Sequence, residues 1–221
     1  MSTLADWAAW FPTLANGLLL SLQITALALL LGLPAGLLLA VLTSSRNAIV
    51  RGASVAVVEI GRGAPALVVL QLFYFGLPST GITLSSFVAA FCALGLTTAA
   101  FTSEILRAGL QAVPAGETEA CQVLGVSRLD TLRFVVVPQG LRIALPALMG
   151  FAILIFQATS LCFTIAVPEL LSQAYSIGSS TFQYFSVLSL AGLLYAAITI
   201  PASWLVEVTE KKMSKHLTHT P

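Results

Sequence analysis

The stretch from Leu110 to Pro138, LQAVPAGETEACQVLGVSRLDTLRFVVVP, is the longest segment of the chain that cannot sit in hydrocarbon, and it divides an otherwise apolar sequence in two. Pro114 is placed to open a short helix, and Glu117 and Glu119 follow in its first turn, where the helix dipole favours negative charge. Leu110, Val113, Glu117, Ala120 (or Cys121) and Leu124 fall at helical spacing on one face. Gly125 is the natural stop, and Ser127 followed by Asp130 reads as the cap of a second helix. That second helix carries Leu129, Leu132 and Val136 on one side and is expected to end before Pro138. The pattern predicts a helix, a glycine elbow and a helix lying across a membrane surface. The first helix has only about ten residues, or roughly 15 Å. A helix that short is marginal in water, so something should hold it in place.

The rest of the chain belongs in a bilayer. Of 221 residues, 57% are hydrophobic and 9% charged, against about 25% charged in soluble domains. An all-α membrane protein with five spans is predicted. The first runs from about Leu14 to Val41, longer than the roughly 20 residues needed to cross, so it should tilt or bend, with Pro34 as the candidate position. Upstream of it there is no Lys or Arg, so a cleaved leader is not expected, and Trp7, Trp10 and Phe11 are aromatics suited to the headgroup layer. The second span is predicted over Gly52–Leu77, with Gly61, Gly63 and Pro65 as soft points. The third covers Ser85–Leu106, the fourth Leu141–Val167 and the fifth Tyr184–Val208. Pro168–Phe182 is Ser-rich and long enough for a short re-entrant or surface helix. No repeat or low-complexity linker breaks the chain, so residues 1–221 are expected to form one domain, with its polar loop at about 107–140.

Five spans put the termini on opposite sides. With the N-terminus outside, all ten basic residues, Arg46, Arg51, Arg62, Arg107, Arg128, Arg133, Arg142, Lys211, Lys212 and Lys215, fall on or near the inner side. The outer side then carries only Asp6 and Glu169. The positive-inside rule makes the central loop and the C-terminus cytoplasmic. Two acid–base pairs, Glu59 with Arg62 and Glu104 with Arg107, sit near membrane depth at i,i+3. They are read as self-neutralised charges at inner helix ends in preference to a gate on a substrate path.

Several chemistries are missing. No histidine lies in a span; His216 and His219 are in the C-terminal tail and read as solvated. Cys92, Cys121 and Cys162 have no metal or redox spacing and read as small packing residues. No Gly-rich loop ending in Lys-Ser/Thr is present, so no ATP site of that kind, no cofactor and no metal site are expected in this chain. Energy must then come from a partner or from an ion gradient.

Glu119-Ala120-Cys121, then Gly125, then Val135-Val136-Val137-Pro138 resembles the EAA motif of ABC-importer permease subunits, whose pattern is Glu-Ala-Ala, a glycine six residues after the Glu, and Ile-x-Leu-Pro. Collinear segments narrow the resemblance to the polar amino acid uptake permeases. They are Glu59-Ile60-Gly61-Arg62-Gly63-Ala64-Pro65 with Leu70-Gln71-Leu72-Phe73, Thr98–Phe101 with Glu104–Gly109, and Val113–Glu117. Pro138–Pro146, Thr159-Ser160-Leu161 and Val167–Leu171 continue the match. The resemblance implies a membrane permease subunit without its own ATPase site, working with two ATPase subunits that bind ATP and Mg. It also implies a second permease, identical or paralogous, and an extracytoplasmic solute-binding protein, in the lipid of a bacterial inner membrane and with no role for nucleic acid. It makes the loop a coupling helix. Glu117, Glu119, Ala120, Cys121, Leu124 and Gly125 are then the candidate ATPase-docking residues. Gln71, Thr97, Thr98, Gln157, Thr159 and Ser160 are candidates for the substrate path, weighed against simple hydrogen bonding to backbone or neighbouring helices. One departure stands out: Gln157 and Ala158 occupy positions where the family often has Lys-Asp, so a charge pair inside the bundle is missing. The rival expectation is an ion-gradient-driven secondary carrier or channel subunit, disfavoured by small size and lack of a repeat. A purely structural subunit of a larger membrane complex is a third.

Overall fold

A computed structural model describes residues 4–217, with side chains for residues 5–213; His216, Lys215 and His219 of the tail lie outside the described side chains. Among the described residues the chain is helix joined by short turns. In order these are α1 (Leu4–Thr43), α2 (Ala48–Gly63), α3 (Ala66–Gln71), α4 (Ser86–Gln111), α5 (Ala115–Val123), α6 (Arg128–Thr131), α7 (Val137–Ala158), α8 (Leu170–Thr181) and α9 (Tyr184–Leu217). Four continuous segments are long and apolar enough to cross a membrane: 5–43, 86–111, 128–165 and 184–213. The fifth candidate is a broken pair, Ala48–Gly63 with Ala66–Thr80, bent by 98°.

That break corrects the expectation of one helix over 52–77. Ala64 and Pro65 both adopt extended backbone, because the residue before a proline is pushed out of the helical region. With two glycines just upstream, Gly61 and Gly63, nothing in the local sequence resists the turn. The other spans are longer than expected, α1 starting at Leu4 and α9 running to Leu217.

Pro138 supplies a second correction. The loop's second helix does not stop before it. α6 widens into a π-helical turn over Leu132–Val136, where the Val137 N–H donates to the Leu132 carbonyl, and continues as α7. The same device recurs at Leu72–Gly76, where the Leu77 N–H donates to the Leu72 carbonyl immediately before Pro78. A proline ring in a regular helix collides with the carbonyl four residues back and offers no N–H. Opening the preceding turn by one residue moves that carbonyl aside, so the helix passes through.

The bundle is organised on α1 against α4. Ile24, Ala28, Gly32, Gly36 and Ala40 recur every four residues on α1, and all are buried. A methyl added at Gly32 would lie 2.5 Å from Thr98 Cγ2 and 2.8 Å from the Gly95 carbonyl oxygen. One added at Gly36 would lie 3.0 Å from the Ala99 carbonyl oxygen. With no hydrophobic drive between helices in lipid, such close backbone approach is what holds them together. On the α4 side the hydroxyls of Thr98 and Thr102 donate back to the Leu94 and Thr98 carbonyls, each at 2.7 Å. Each polar atom is thereby satisfied within its own helix, with the Thr98 methyl against Gly32 and the Thr102 hydroxyl against Gly36 of α1.

At the opposite end from α5, α8 folds across α1 and α9. Trp7 is half-buried here, its Nε1–H donating to Ser186 Oγ at 2.8 Å. Glu169, expected as an outer charge, is fully buried. Its carboxylate caps α8, accepting from the Leu171 and Ser172 amides at 2.9 and 2.7 Å, and accepts the Tyr195 hydroxyl of α9 at 3.0 Å. Burial pushes this carboxyl above the ordinary carboxylate range, against the opposing pull of these hydrogen bonds. Glu169→Ala removes a cap and leaves the Tyr195 hydroxyl without its acceptor, a loss of about 2–4 kcal/mol. The detergent-purified variant should melt roughly 5–15 °C below the native protein, with Glu169→Gln intermediate. An unchanged melting curve for Glu169→Ala would show that α8 is not held by this carboxylate.

Candidate functional site

The polar loop folds as its local chemistry dictates. α5 opens after Pro114, whose carbonyl receives the Glu117 N–H at 3.1 Å. It closes on Gly125 at φ +72°, with the Gly125 N–H on the Gln122 carbonyl at 3.1 Å and the Val126 N–H on the Cys121 carbonyl at 3.0 Å. This is a Schellman stop, which places its left-handed residue just past the helix. Ser127 then caps α6, its Oγ accepting from the Asp130 N–H at 3.2 Å and donating to the Asp130 carboxylate at 2.6 Å.

The expected common face is divided. Val113 is buried and Leu110 half-buried, while Glu117, Ala120 and Leu124 are exposed, because the chain turns a corner between α4 and α5 at Ala112–Pro114. Of the six docking candidates, Glu117, Glu119, Ala120, Leu124 and Gly125 are exposed and Cys121 is half-buried. Around them Val123, Leu124 and Leu129 are 88%, 79% and 71% exposed. α5 rests on α6 and the π-helical turn that follows and buries none of its own residues. A short helix with large apolar side chains in the open and carboxylates beside them is built to be covered.

The substrate-path candidates are not gathered round one cavity. Thr97, Thr98 and Thr159 are buried and donate to the Ala93, Leu94 and Phe156 carbonyls at 3.2, 2.7 and 2.7 Å. Ser160 donates to the Gln157 carbonyl at 2.8 Å. Gln157 is exposed and Gln71 half-buried. The three cysteines are free thiols, Cys162 buried and Cys92 and Cys121 half-buried.

Sequence reading missed how the two charged pairs combine. Arg62 Nη1 lies 3.6 Å from Glu59 Oε1 and 4.0 Å from Glu104 Oε2, so α2 and α4 are joined. Arg107 grips Glu104 with both Nε and Nη2 and donates through Nη1 to Gln111 Oε1 at 3.2 Å. The Arg62 guanidinium sits 5.9 Å from the centroid of Phe101, which stacks on Phe151 of α7 at 5.6 Å. Next to this network is a polar cavity of about 470 Å³ between the end of α1, α2 and α4, lined by Thr43, Ser44, Val55, Glu59, Glu104, Arg107 and Gln111.

Comparison with known proteins places this geometry. Residues 32–215 match the family described as binding-protein-dependent transport system inner membrane component. The chain is 35% identical over 207 residues to the probable amino-acid ABC transporter permease protein YckA of Bacillus subtilis (strain 168), covering 94% of this chain and 92% of that one. It is 30% identical over 218 residues to the glutamate/aspartate import permease protein GltK of Escherichia coli O157:H7, covering 94% and 97%. Among solved structures, an amino acid ABC transporter with histidines superposes with a TM-score of 0.88 at 31% identity, over 96% of this chain and 99% of that one. The inward-facing methionine transporter MetNI gives 0.71 at 23% identity over 95% and 99%, a likeness of fold.

Proposed function

The chain belongs to the binding-protein-dependent transport system inner membrane components, among the ABC transporter permeases of the polar amino acid class, and on that premise we propose that it forms the translocation path for a polar amino acid or related small solute. It is a multi-pass inner-membrane component of an ABC transporter complex. In the proposed assembly two ATPase subunits bind ATP and Mg, a second permease, identical or paralogous, completes the path, and an extracytoplasmic binding protein delivers solute. The whole chain acts as one permease domain, with the N-terminus outside and the C-terminus in the cytoplasm. The observation that carries the reading is α5: an exposed, self-contained helix with Val123 and Leu124 uncovered and a left-handed glycine fixing its end.

In this mechanism the chain's work is mechanical. The ATPase pair closes on ATP and moves α5. Glu117 and Glu119 offer carboxylates to the partner's groove, Ala120 and Cys121 let it approach closely, and Leu124 supplies the apolar anchor. Because α6 runs without interruption into α7, displacement of the loop is carried along the span instead of being absorbed in a flexible joint.

The test is affinity co-purification from the native membrane in mild detergent. A P-loop ATPase should follow the native chain. Leu124→Asp should cut its recovery by about 10–100-fold, the equivalent of one large apolar side chain left unburied, while the permease stays in the membrane. If the native chain comes out alone, with no ATPase cross-linking to Cys121 and uptake that follows membrane potential instead of ATP, the gradient-driven carrier takes its place.

A further inference from the structure

The 98° bend between α2 and α3 leaves backbone groups without partners at the depth of the membrane interior. Gly61 packs on Ala100, which stands near the middle of α4 (Ser86–Gln111). In a continuous helix the carbonyls of Gly61, Arg62 and Gly63 would accept from the amides of residues 65–67. Pro65 has no amide, and both Ala64 and Pro65 are extended, so that pairing stops. The Ala64 N–H still reaches back to Ile60, and the Val68 and Val69 amides turn to the Pro65 carbonyl. Among the described residues, the amides of Ala66 and Leu67 and the carbonyls of Gly61, Arg62 and Gly63 have no hydrogen-bond partner. Gly63, Pro65 and Leu67 are exposed, so the chain's own packing does not enclose them. Hydrocarbon cannot satisfy such groups; irregular backbone at membrane depth persists where protein covers it or water reaches it.

The side of α2 that leads to the break favours water. Val55, Glu59 and Gly63 recur every four residues on one face. Val55 and Glu59 line the polar cavity together with Glu104, Arg107 and Gln111 of α4. Gly63, one turn further on, is open, with nothing within 4 Å of an added Cβ. The Glu59 side chain is 66% exposed, even with Arg62 at 3.6 Å, and a charge so uncovered is costly against lipid or a dry protein contact. Cavity, carboxylate, open glycine and unpaired backbone therefore follow one another along α2, from its inner end to mid-membrane.

We propose that this column is the inner half of the aqueous translocation path, lined by Val55, Glu59 and Gly63, and that at its top the solute meets the unpaired backbone of the break. The inference rests on the transport function and orientation proposed above, and adds to them the surface along which the solute passes. It also accounts for the scattered threonines and serines of the spans, whose hydroxyls are spent on their own helices. The broken backbone supplies donors and acceptors together, without a charged side chain, which suits a small solute carrying both an ammonium and a carboxylate.

Water access is the first test. Gly63→Cys, Val55→Cys and Val57→Cys are placed singly in the full complex; Val57 is 51% exposed and lies across the same helix. Inverted membrane vesicles are treated with a membrane-impermeant cationic methanethiosulfonate, and peptide mass mapping separates the new thiols from Cys92, Cys121 and Cys162. Positions 63 and 55 should react at least tenfold faster than position 57. An unreactive Gly63→Cys, or equal rates at 63 and 57, would place the break against lipid or the second permease and overturn the proposal. Passage is the second test. A Cβ at Gly63 meets nothing in the chain, so Gly63→Leu should insert and melt like the native protein. It should nonetheless lower ATP-dependent uptake of radiolabelled glutamate, glutamine, arginine and histidine by cells at least tenfold. Gly192→Leu, where a Cβ also meets nothing, should transport normally. Full uptake by an inserted Gly63→Leu chain overturns the proposal. If the native complex itself shows no ATP-dependent uptake, the transport reading fails instead, and the labelling rates still decide whether the column is wet.

Discussion

Gly32→Leu should leave almost no folded protein in the membrane, and Gly32→Ala should already lower the melting temperature measurably. The atoms in the way are the Gly95 carbonyl oxygen and the Thr98 side chain, whose Cβ is fixed by its own backbone. Neither can rotate clear, so α1 and α4 must separate along their whole shared seam. Overpacking of this kind costs about 1–3 kcal/mol for a methyl and more for a leucine. Gly192→Ala and Gly52→Ala are the matched controls, because a Cβ at either position meets nothing. They should be neutral or stabilise by about 0.5–1 kcal/mol through helix propensity. Fluorescence-detected size exclusion of tagged variants reads the outcome. A Gly32→Leu chain that elutes and melts like the native protein would mean that the α1–α4 seam is not the structural axis.

Gly125→Val should abolish transport while leaving the protein folded and inserted. Here the obstacle is not space, since a Cβ at Gly125 meets nothing. It is conformation: φ is +72°, where a β-branched residue suffers a clash worth roughly 1–2 kcal/mol or more. α5 is exposed and short, so it has no buried surface with which to offset that strain, and the elbow will open. The spans do not depend on it. Gly125→Asn should retain much of the activity, because asparagine tolerates the left-handed region. Uptake by cells, set against the amount of permease in the membrane, distinguishes the cases. Full coupled transport by Gly125→Val would remove the elbow from the mechanism.

These two glycines also mark the boundary of what the chain discloses before it is folded. Gly125 was legible because everything it does is local: Pro114, Gly125 and Ser127 are fixed by caps and turns a few residues long, and α5 lies within one residue of its expected end. The docking candidates stand in the open, as an amphipathic loop demands. Gly32 and Gly36 passed unremarked inside a greasy run, although their four-residue spacing with Ala28 and Ala40 was in plain view. Hydropathy measures how apolar a segment is and says nothing about which face approaches a neighbour. The burial of Glu169 was out of reach for the same reason. Its partner Tyr195 is 26 residues away, and only the fold of α8 across α9 turns an outer charge into a buried cap. The joining of Glu59–Arg62 to Glu104–Arg107 likewise depends on a bend at Ala64–Pro65 that brings α2 back against α4.

The wide turn at Leu132–Val136 has an angular consequence. A π-helical turn is a regular helix holding one supernumerary residue, and each residue advances a helix by about 100°. Everything upstream of it, α6 and the α5 elbow, is therefore out of phase with α7 by that single step. The direction in which Leu124 and the two glutamates point, relative to the span they are proposed to drive, is set by that count together with the elbow at Gly125 and the rest of α5 on α6 and the wide turn. Pro138 keeps that count in place: it stands as a ratchet pawl against the helix slipping back into register.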